Sequence, residues 1–446
     1  MADNHPTEAA CLLEQGASYH RRIGFKPVAS PGNPIFAGFK TGAFSLYFGD
    51  APIYHFDLEG RWQRAFVDGT HYLKGLDATI QAIDRVREGP NLVLKRRNLS
   101  YAEASDFDAM VRSTAIDLCT RIDAGRLDRV EPKSPKAGTL DADELRDFLD
   151  RISMWDSAAW FAHRERYLSA YGPLPLLPPE CQNAVVLQAT LGHATGVAFG
   201  GAPVSEAYTR SSPEFAQHTK DVARLWGRRL MQSRNIFLAG ADVLHQPVEE
   251  VAAYLRAIGS TFPIEQRREG SKTAQAGVGE KPRFEGVHAF LDNFASPRPD
   301  RAGWDELAKR GLVRISLGVE SGDADIRGSY HKYWDDEELR IAVADCKAAG
   351  LGVSLLTLVG AGGVERTDAH VERTVRSIET LELGPGDFVF LLDENEIPCP
   401  GGSHEGLTAL RGSAWYKQLT TLKDRLVDLK RRGIKVLPYS MEKQWT

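Results

Sequence analysis

Carboxylates and glycines follow several apolar runs in the second half of this 446-residue chain. Glu320 lies in the turn Gly-Val-Glu-Ser-Gly, a Gly-rich turn occupies 360–363, and Asp393 and Glu394 follow a further apolar run. A carboxylate can bind an ammonium group or a ribose hydroxyl, and glycine lets a planar ring or a phosphate approach the backbone. These residue types predict a site for a small polar molecule. The alternatives are a carboxylate that only caps the next helix and a plain tight turn.

A histidine stands in a second Gly-rich segment, LGHATGVAFGG at 191–201, which directly follows the apolar run at 184–189. His193 has three candidate roles: a general base, a metal ligand, and a hydrogen-bond partner for a ligand carboxylate. The alternative is a surface histidine in a loop. His193 alone cannot form a closed metal site, because such a site needs several ligands.

Each remaining candidate also has a structural alternative. Asp242 follows an apolar run and belongs either to the site or to the N-terminal cap of the next helix. His245 and Lys332 are candidate substrate contacts, although long basic side chains near helix starts are usually solvated. Asp393 or Glu394 would bind a substrate ammonium group, unless both lie in a solvated loop.

The elements that must position these residues alternate regularly between strand and helix. We predict strands at about 184–189, 235–239, 286–291, 312–317, 352–359 and 387–392, and helices at about 213–232, 247–258, 302–310, 336–349, 366–382 and 413–433. Such alternation predicts parallel strands with helical crossovers. Ligands of such sheets bind at the carboxyl ends of the strands, so the candidates share one rim. The segment IKVLPYS near the C-terminus is expected to close the unit.

The first part of the chain has a different pattern. Short aromatic-rich runs separated by Gly turns predict a small antiparallel meander at 43–75. Asp141 followed by Glu144 predicts a capping box that opens one long helix through DELRDFLDRISMWDSAAWFAHRERYL. This mixture is typical of an α+β domain.

These patterns predict two domains joined by a linker. The smaller α+β domain covers residues 1–170, and four prolines in YGPLPLLPPE predict a linker at 171–182. The second domain covers 183–446. The polar run at 266–283 has almost no large apolar residue and is either a lid or a decoration of this domain.

Composition narrows the class of partner. A net charge of −5 gives no reason to expect nucleic acid or an anionic membrane, so we predict a small-molecule substrate. The N-terminus lacks a signal-peptide pattern and no apolar stretch could span a bilayer, which predicts a cytoplasmic protein. Five scattered cysteines indicate neither a disulfide framework nor a local metal knuckle. Homo-oligomerisation remains open.

Four segments together resemble the radical S-adenosylmethionine (SAM) superfamily. They are LPPECQNAVVLQATLGHATGVAFGG at 177–201, NIFLAGADVLHQP at 235–247, ISLGVESGDADIR at 315–327 and CKAAGLGVSLLTLVGAGG at 346–363. The resemblance covers roughly residues 175–440 and implies a partial (β/α)6 TIM-like barrel that binds SAM across the strand ends. The SAM-binding residues that it implies are Gly192, Gly196, Glu320, Ser321, Val359, Gly360, Gly362 and Gly363.

The chain departs from that superfamily at the cluster motif. The family carries C-x-x-x-C-x-x-C after the first strand, whose thiolates hold a [4Fe–4S] cluster. The aligned positions here are His193, Val197 and Gly200, and neither valine nor glycine offers a side-chain ligand. We therefore expect no [4Fe–4S] cluster and no reductive cleavage of SAM.

What remains is polar chemistry at the SAM sulfonium. We predict transfer of a methyl or aminocarboxypropyl group to a small molecule, or elimination or cyclisation of SAM that releases methylthioadenosine. The predicted catalytic residues are His193, Asp242 and Glu320, and the predicted substrate-binding residues are His245, Lys332, Asp393 and Glu394. Two alternatives stay open: an inactive pseudoenzyme that acts as a binding or scaffold protein, and a radical enzyme with unusual cluster ligands.

Overall fold

The computed structural model describes eleven parts of the chain. They are residues 19–28, 32–88, 91–130, 138–174, 176–192, 207–240, 243–265, 282–292, 294, 297–397 and 407–440. Within them the fold is mixed α/β, with one large antiparallel sheet followed by a parallel sheet.

The first half builds the antiparallel sheet. Its strands are β1 (Arg21–Pro27), β2 (Ile35–Lys40), β3 (Ala43–Phe48), β4 (Ile53–Asp57), β5 (Trp62–Val67), β6 (Thr70–Lys74), β7 (Ile80–Glu88), β8 (Asn91–Asn98), β9 (Leu127–Val130) and β10 (Gly138–Thr139). Strands β1 to β8 pair in chain order, and β9 and the short parallel strand β10 both pair with β1. The predicted meander at 43–75 is confirmed, but it is the centre of a larger sheet.

Three helices follow or interrupt this sheet: α1 (Tyr101–Asp123), α2 (Ala142–Ser153) and α3 (Ser157–Ala170). Phe148 of α2 packs on Phe39 and Phe44 of the sheet, with ring centroids 5.0 and 4.4 Å apart. Burial of these apolar rings is the main favourable contribution to this core.

The prediction of one long helix from residue 142 is wrong. The chain leaves the helical path after Ser153, and the Asp156 side chain accepts a hydrogen bond from the Ala159 amide, which starts a new helix. The capping box is also wrong. Asp141 does cap α2 through the Ala142 amide, but Glu144 forms an ion pair with Arg21 instead of reaching back to the cap.

The second half alternates between strands and helices. Its strands are β11 (Val185–Gln188), β12 (Thr190–Leu191), β13 (Tyr208–Thr209), β14 (Asn235–Ala239), β15 (Gly286–Leu291), β16 (Leu312–Glu320), β17 (Gly352–Val359), β18 (Phe388–Asp393) and β19 (Lys435–Tyr439). Its helices are α4 (Ser212–Trp226), α5 (Val248–Thr261), α6 (Arg301–Lys309), α7 (Ala324–Ser329), α8 (Asp336–Ala348), α9 (Thr367–Glu379), α10 (Gly412–Arg425) and α11 (Val427–Arg431). The six predicted strands and their helices are confirmed.

The parallel sheet has the order β11-β14-β15-β16-β17-β18-β19, and all its pairs are parallel. The predicted C-terminal strand is confirmed as β19. Apart from the largely exposed edge strand β19, these strands are mostly buried and rich in Val, Leu and Ile because helices or apolar side chains cover both faces. Because all seven strands run in the same direction, their carboxyl ends lie at one edge of the sheet.

Arg61 links the two sheets. Its guanidinium donates to the carbonyls of Leu225 and Trp226 at the C-terminus of α4, at 2.7 and 2.5 Å, and forms an ion pair with Asp57. A cation is favourable there because the helix dipole leaves negative partial charge on those carbonyls. Trp62 lies in the first core and donates to Asp108. Arg61 and Trp62 therefore both have structural roles, Arg61 between the two sheets and Trp62 in the first core.

The Pro-rich segment is packed against the parallel sheet. Tyr171, Leu177 and Cys181 are buried in its core, and the Tyr171 hydroxyl donates to the Val186 carbonyl at 2.9 Å. Within the described ranges, no helix combines the length and the hydropathy that a bilayer crossing requires.

Candidate ligand site at the carboxyl ends of the parallel strands

Glu320 ends β16 in a conformation that L-residues rarely adopt. Its φ is +53°, in the left-handed region, and a register shift between Gly318 and Glu320 interrupts the pairing with β17. A left-handed non-glycine residue costs of the order of 1–3 kcal/mol, and such residues cluster at ligand sites. The bulge re-aims the carboxylate at the strand end.

Lys332 joins two carboxylates from neighbouring strands. Its Nζ lies 2.6 Å from Glu320 Oε1 and 2.5 Å from Asp292 Oδ1, and the lysine is buried. Gly318 makes room for this arrangement, because a Cβ there would lie 2.6 Å from Lys332 Nζ. Glu320 is only 1 % exposed, and its second oxygen, Oε2, accepts no hydrogen bond from the part of the chain that the structure describes. A buried acceptor without a hydrogen-bond donor is energetically unfavourable, so a ligand donor at this position would stabilise it.

Burial and sharing of one cation set the protonation of this group. Burial is the larger effect on Glu320 and raises the pKa of its carboxyl to about 7, although Lys332 opposes the shift. Burial alone would lower the pKa of Lys332, but the charges of Asp292 and Glu320 outweigh it and raise that pKa. Two carboxylates share one ammonium, so Lys332 stays charged and the more buried Glu320 takes up a proton near neutrality.

A clamp between α7 and α8 holds Lys332 in place. Arg327 donates to the carbonyls of Ser321 and Trp334, at 3.2 and 2.8 Å, and stacks on the Trp334 ring at 3.9 Å. The Lys332 amide donates back to the Arg327 carbonyl at 3.0 Å. Helix α7 itself is capped by Asp323, whose side chain accepts from the amides that open the helix. Glu320 therefore does not serve as the cap, and that alternative is wrong.

The Gly-rich turn lies next to a second acidic group. Gly360, Gly362 and Gly363 all have positive φ, and a Cβ on Gly363 would lie 2.5 Å from the Thr408 carbonyl oxygen, so the turn requires glycine. A Cβ on Gly360 would lie 3.3 Å from Glu394 Oε2. Glu394 is buried and accepts a hydrogen bond from the Tyr330 hydroxyl. Approach of an adenine to this turn stays a prediction.

Other predicted residues are engaged with the protein itself. The Ser321 hydroxyl contacts His370 Nδ1 at 2.8 Å and accepts from the Asp323 amide. Asp393 caps the turn after β18 through the Asn395 amide, and His245 Nδ1 contacts the Pro297 carbonyl. The structure thus brings Glu320 and Lys332 together, with Glu394 on the same edge of the sheet, and gives the others local partners. Val359 is the buried last residue of β17, and Gly192 lies in a left-handed turn after β12.

Five positions singled out in the sequence lie outside the described residues. They are His193, Gly196, Val197, Gly200 and Asp242. The predicted roles of His193 and Asp242 as catalytic residues, of Gly196 as a SAM contact, and of Val197 and Gly200 as positions without a cluster ligand stay predictions.

No three His, Cys, Asp or Glu side chains converge as metal ligands within the described ranges. Cys119 lies in α1, Cys181 precedes β11 and Cys346 lies in α8, so these thiols belong to separate elements. Burial raises the pKa of Cys346 to about 12, which keeps that thiol protonated and a poor ligand. Among the described residues, these three thiols therefore do not converge on one site, and the absence of a [4Fe–4S] cluster stays a prediction.

Asp292 and Tyr330 belong to the site but were not among the predicted residues. Asp292 directly follows β15, and its position at a strand end was the available signal. Tyr330 ends α7 on a buried apolar face, where nothing in the sequence distinguishes it from a core aromatic.

Gly322 fixes the turn after Glu320, so Gly322→Ala is expected to destabilise the protein. An added Cβ would lie 2.4 Å from the backbone of Arg373 in α9, and such overpacking costs about 1–3 kcal/mol. Chemical denaturation measures the loss. Gly328→Ala is the matched control, because its Cβ would meet nothing nearer than 3.9 Å and alanine favours the helix. Equal stability of the two variants would contradict the prediction.

At the level of sequence, no protein family and no curated protein matches the chain. Among solved structures, the cobalamin-dependent S-adenosylmethionine radical enzyme OxsB matches with 14% identity and a TM-score of 0.33, over 59% of this chain and 31% of its own. HemN from Escherichia coli, a coproporphyrinogen III oxidase and radical SAM enzyme, matches with 12% identity and a TM-score of 0.35, over 49% and 44%. Methylornithine synthase (PylB) matches with 13% identity and a TM-score of 0.37, over 67% and 82%. This chain covers less than half of the first two.

Proposed function

We propose that this chain binds S-adenosylmethionine at the carboxyl ends of its parallel strands and uses it in polar chemistry. The observation that carries the proposal is Glu320, a buried carboxylate at a strand end with one oxygen on Lys332 and the other without a donor among the described residues. A carboxylate of this kind suits the ammonium group of an amino acid moiety or a ribose hydroxyl. Both groups occur in SAM.

The charges around Glu320 support a cationic ligand. Asp292, Glu320 and Glu394 supply three carboxyl groups on this edge, against the two buried cations Lys332 and Arg327, so acidic groups are in excess when Glu320 is ionised. SAM carries a sulfonium and an ammonium group against one carboxylate, so its net charge is positive. A low dielectric around buried groups strengthens this attraction.

Curvature of the parallel sheet into a partial barrel is part of the proposal. Gln182, just before the first strand, donates to the Tyr439 hydroxyl at the end of the last strand. A separate apolar cluster, with Leu356 and Phe390 among its members, covers the other side of the sheet from the helices. Both observations support a concave face that would enclose the ligand.

The proposed reaction needs no electron from a cluster. The lone pair of a nucleophile forms a bond to a carbon of the sulfonium, the carbon–sulfur bond breaks, and its electron pair stays on sulfur, which leaves as a neutral thioether. A base takes the proton of the nucleophile. Near neutral pH, Glu320 with its pKa of about 7 is suited to hold an ammonium group or to accept that proton. His193 and Asp242 remain the other candidates named for this role.

Calorimetry and product analysis in air test the proposal. Purified protein should bind SAM, and Glu320→Gln should weaken binding by about 10- to 100-fold, since it loses a charge-assisted hydrogen bond. Glu337→Gln, an exposed carboxylate in α8, should leave the affinity unchanged. Incubation without reductant should yield methylthioadenosine or S-adenosylhomocysteine.

Three results would count against the proposal in different ways. Formation of 5′-deoxyadenosine only after dithionite is added would contradict polar chemistry. Binding without any nucleoside product would support the binding or scaffold protein instead. No binding of SAM, in a protein that is folded by circular dichroism, would contradict the site itself.

A further inference from the structure

A cleft lies at the opposite end of the parallel strands, where β11 and β14 begin. Its inner part is a cavity of about 60 Å³ between α3 and the sheet, walled by the aromatic rings of Tyr167, Tyr171 and Trp226. The guanidinium of Arg229 completes this wall. The cleft is separate from the Glu320 site, because its residues precede the strands instead of following them.

Arg229 carries a charge without a counter-charge in this cavity. It forms no hydrogen bond and no ion pair within the described ranges, and its guanidinium lies 5.4 Å from the centre of the Trp226 ring. The nearest acidic influence, Asp57, is already paired with Arg61. Burial lowers the pKa of Arg229 to about 10, so the group is charged at neutral pH. A guanidinium of this kind has planar paired donors suited to a carboxylate.

The outer part of the cleft contains hydrogen-bond acceptors, in contrast to the donor Arg229 in the inner part. A second cavity of about 230 Å³ shares Gln182, Asn183 and Gln232 with the first. Glu180, Asn235 and the exposed Arg234 line it. Glu180 Oε2 and Asn235 Oδ1 are buried atoms that accept no hydrogen bond from any described residue, Arg234 included. Two acceptors of this kind, one of them on a carboxylate, suit a ligand ammonium group.

We propose that this cleft is a binding site for a small zwitterion of the amino acid class, with its carboxylate on Arg229 and its ammonium group on Glu180 and Asn235. An anion alone would leave the acceptors of Glu180 and Asn235 without donors. A cation alone would leave Arg229 without an acceptor. The aromatic wall would cover an apolar or aromatic part of the ligand.

Calorimetry with a matched set of three compounds tests the ligand class. L-Phenylalanine should bind, whereas phenethylamine, which lacks the carboxylate, and 3-phenylpropionate, which lacks the amine, should bind at least about tenfold more weakly. 6-Aminohexanoate is a zwitterion whose ammonium and carboxylate groups lie further apart. Its affinity, compared with that of L-phenylalanine, tests the distance between the two charge-binding parts of the cleft. Binding of 3-phenylpropionate or phenethylamine as tightly as the zwitterions would overturn the proposal, as would no binding of either zwitterion at millimolar concentration.

Two variants tie the binding to this cleft. Arg229→Met and Glu180→Gln should each weaken zwitterion binding by about tenfold or more. Arg224→Met, in α4 just before this segment but exposed and paired with Asp221, should not. Without ligand, Arg229→Met should melt at nearly the same temperature, because Arg229 is half-buried and forms no ion pair with a described residue. A lower melting temperature with unchanged affinity would assign Arg229 a structural role and overturn the proposal.

The two proposed sites are distinguishable in the same experiments. Arg229→Met should leave SAM binding intact, and Glu320→Gln should leave zwitterion binding intact. If both variants lost the binding of SAM and of the zwitterion, the two ligands would share one site, because SAM also contains an amino acid moiety. That result would contradict separate sites.

Discussion

Lys332→Met should lower the free energy of unfolding by about 3–5 kcal/mol at neutral pH or above. The substitution keeps the length and apolar surface of the side chain but removes the one ammonium group that Asp292 and Glu320 share. Glu320 would then be a buried carboxylate without a counter-ion, and the desolvation cost of its charge would be uncompensated. Urea denaturation of the variant and the wild-type protein measures the loss.

The same experiment separates charge from packing. The additional substitution Glu320→Gln should recover much of the lost stability in the Lys332→Met background, because it removes the unpaired charge. Lys309→Met, at an exposed position of α6, should change stability by less than about 0.5 kcal/mol. A loss in Lys332→Met that Glu320→Gln does not reduce would assign the effect to packing alone.

The stability of the wild-type protein should fall by about 3 kcal/mol as pH rises from about 4.5 to about 7 through the titration of Glu320. The pKa of this carboxyl is raised from 4.5 in the unfolded chain to about 7 in the fold. Below the lower value both states are protonated, so the contribution is fully present. Between the two values only the unfolded chain loses its proton, and above the higher value the contribution is gone.

Denaturation across this range, compared with Glu320→Gln, isolates the contribution. The variant does not titrate at this position, so the stability difference between the two proteins should change with the slope of one proton between the unfolded and the folded pKa and level off above about 7. Lys332 does not add to the change, because its pKa is raised from an already alkaline value. Parallel pH profiles of the two proteins would show that folding does not shift the pKa of Glu320.

The parallel strands were predictable because each is a short apolar run bounded by turn residues. β14 and β15 match their predicted bounds, and β16 runs three residues further, to Glu320. The break between α2 and α3 was not predictable from periodicity, since Met154 and Trp155 continue the apolar pattern. The break depends on a distant contact, in which Trp155 Nε1 donates to the Glu59 carbonyl at 2.8 Å.

The sequence predicted Glu320 and Lys332 as site residues, but it did not predict that they form an ion pair. Glu320 and Lys332 were both named from their residue types and positions, yet as a SAM contact and a separate substrate contact. They meet because a left-handed residue, His331 at φ +59°, turns the chain back toward the strand end. Nothing in a histidine predicts that conformation, and Asp292 arrives from another strand. The cleft lined by Arg229 and Glu180 was not predicted, because ligands were expected only at the carboxyl ends of the strands.

Arg61 has a consequence for how the protein comes apart. Its guanidinium is buried, with donors divided between Asp57 of the antiparallel sheet and the last carbonyls of α4. If either half loosened first, it would leave these donors and acceptors without partners in an apolar junction, at a cost that each half alone could not offset. We therefore expect the two sheets to unfold together, as one cooperative unit joined at the C-terminus of α4.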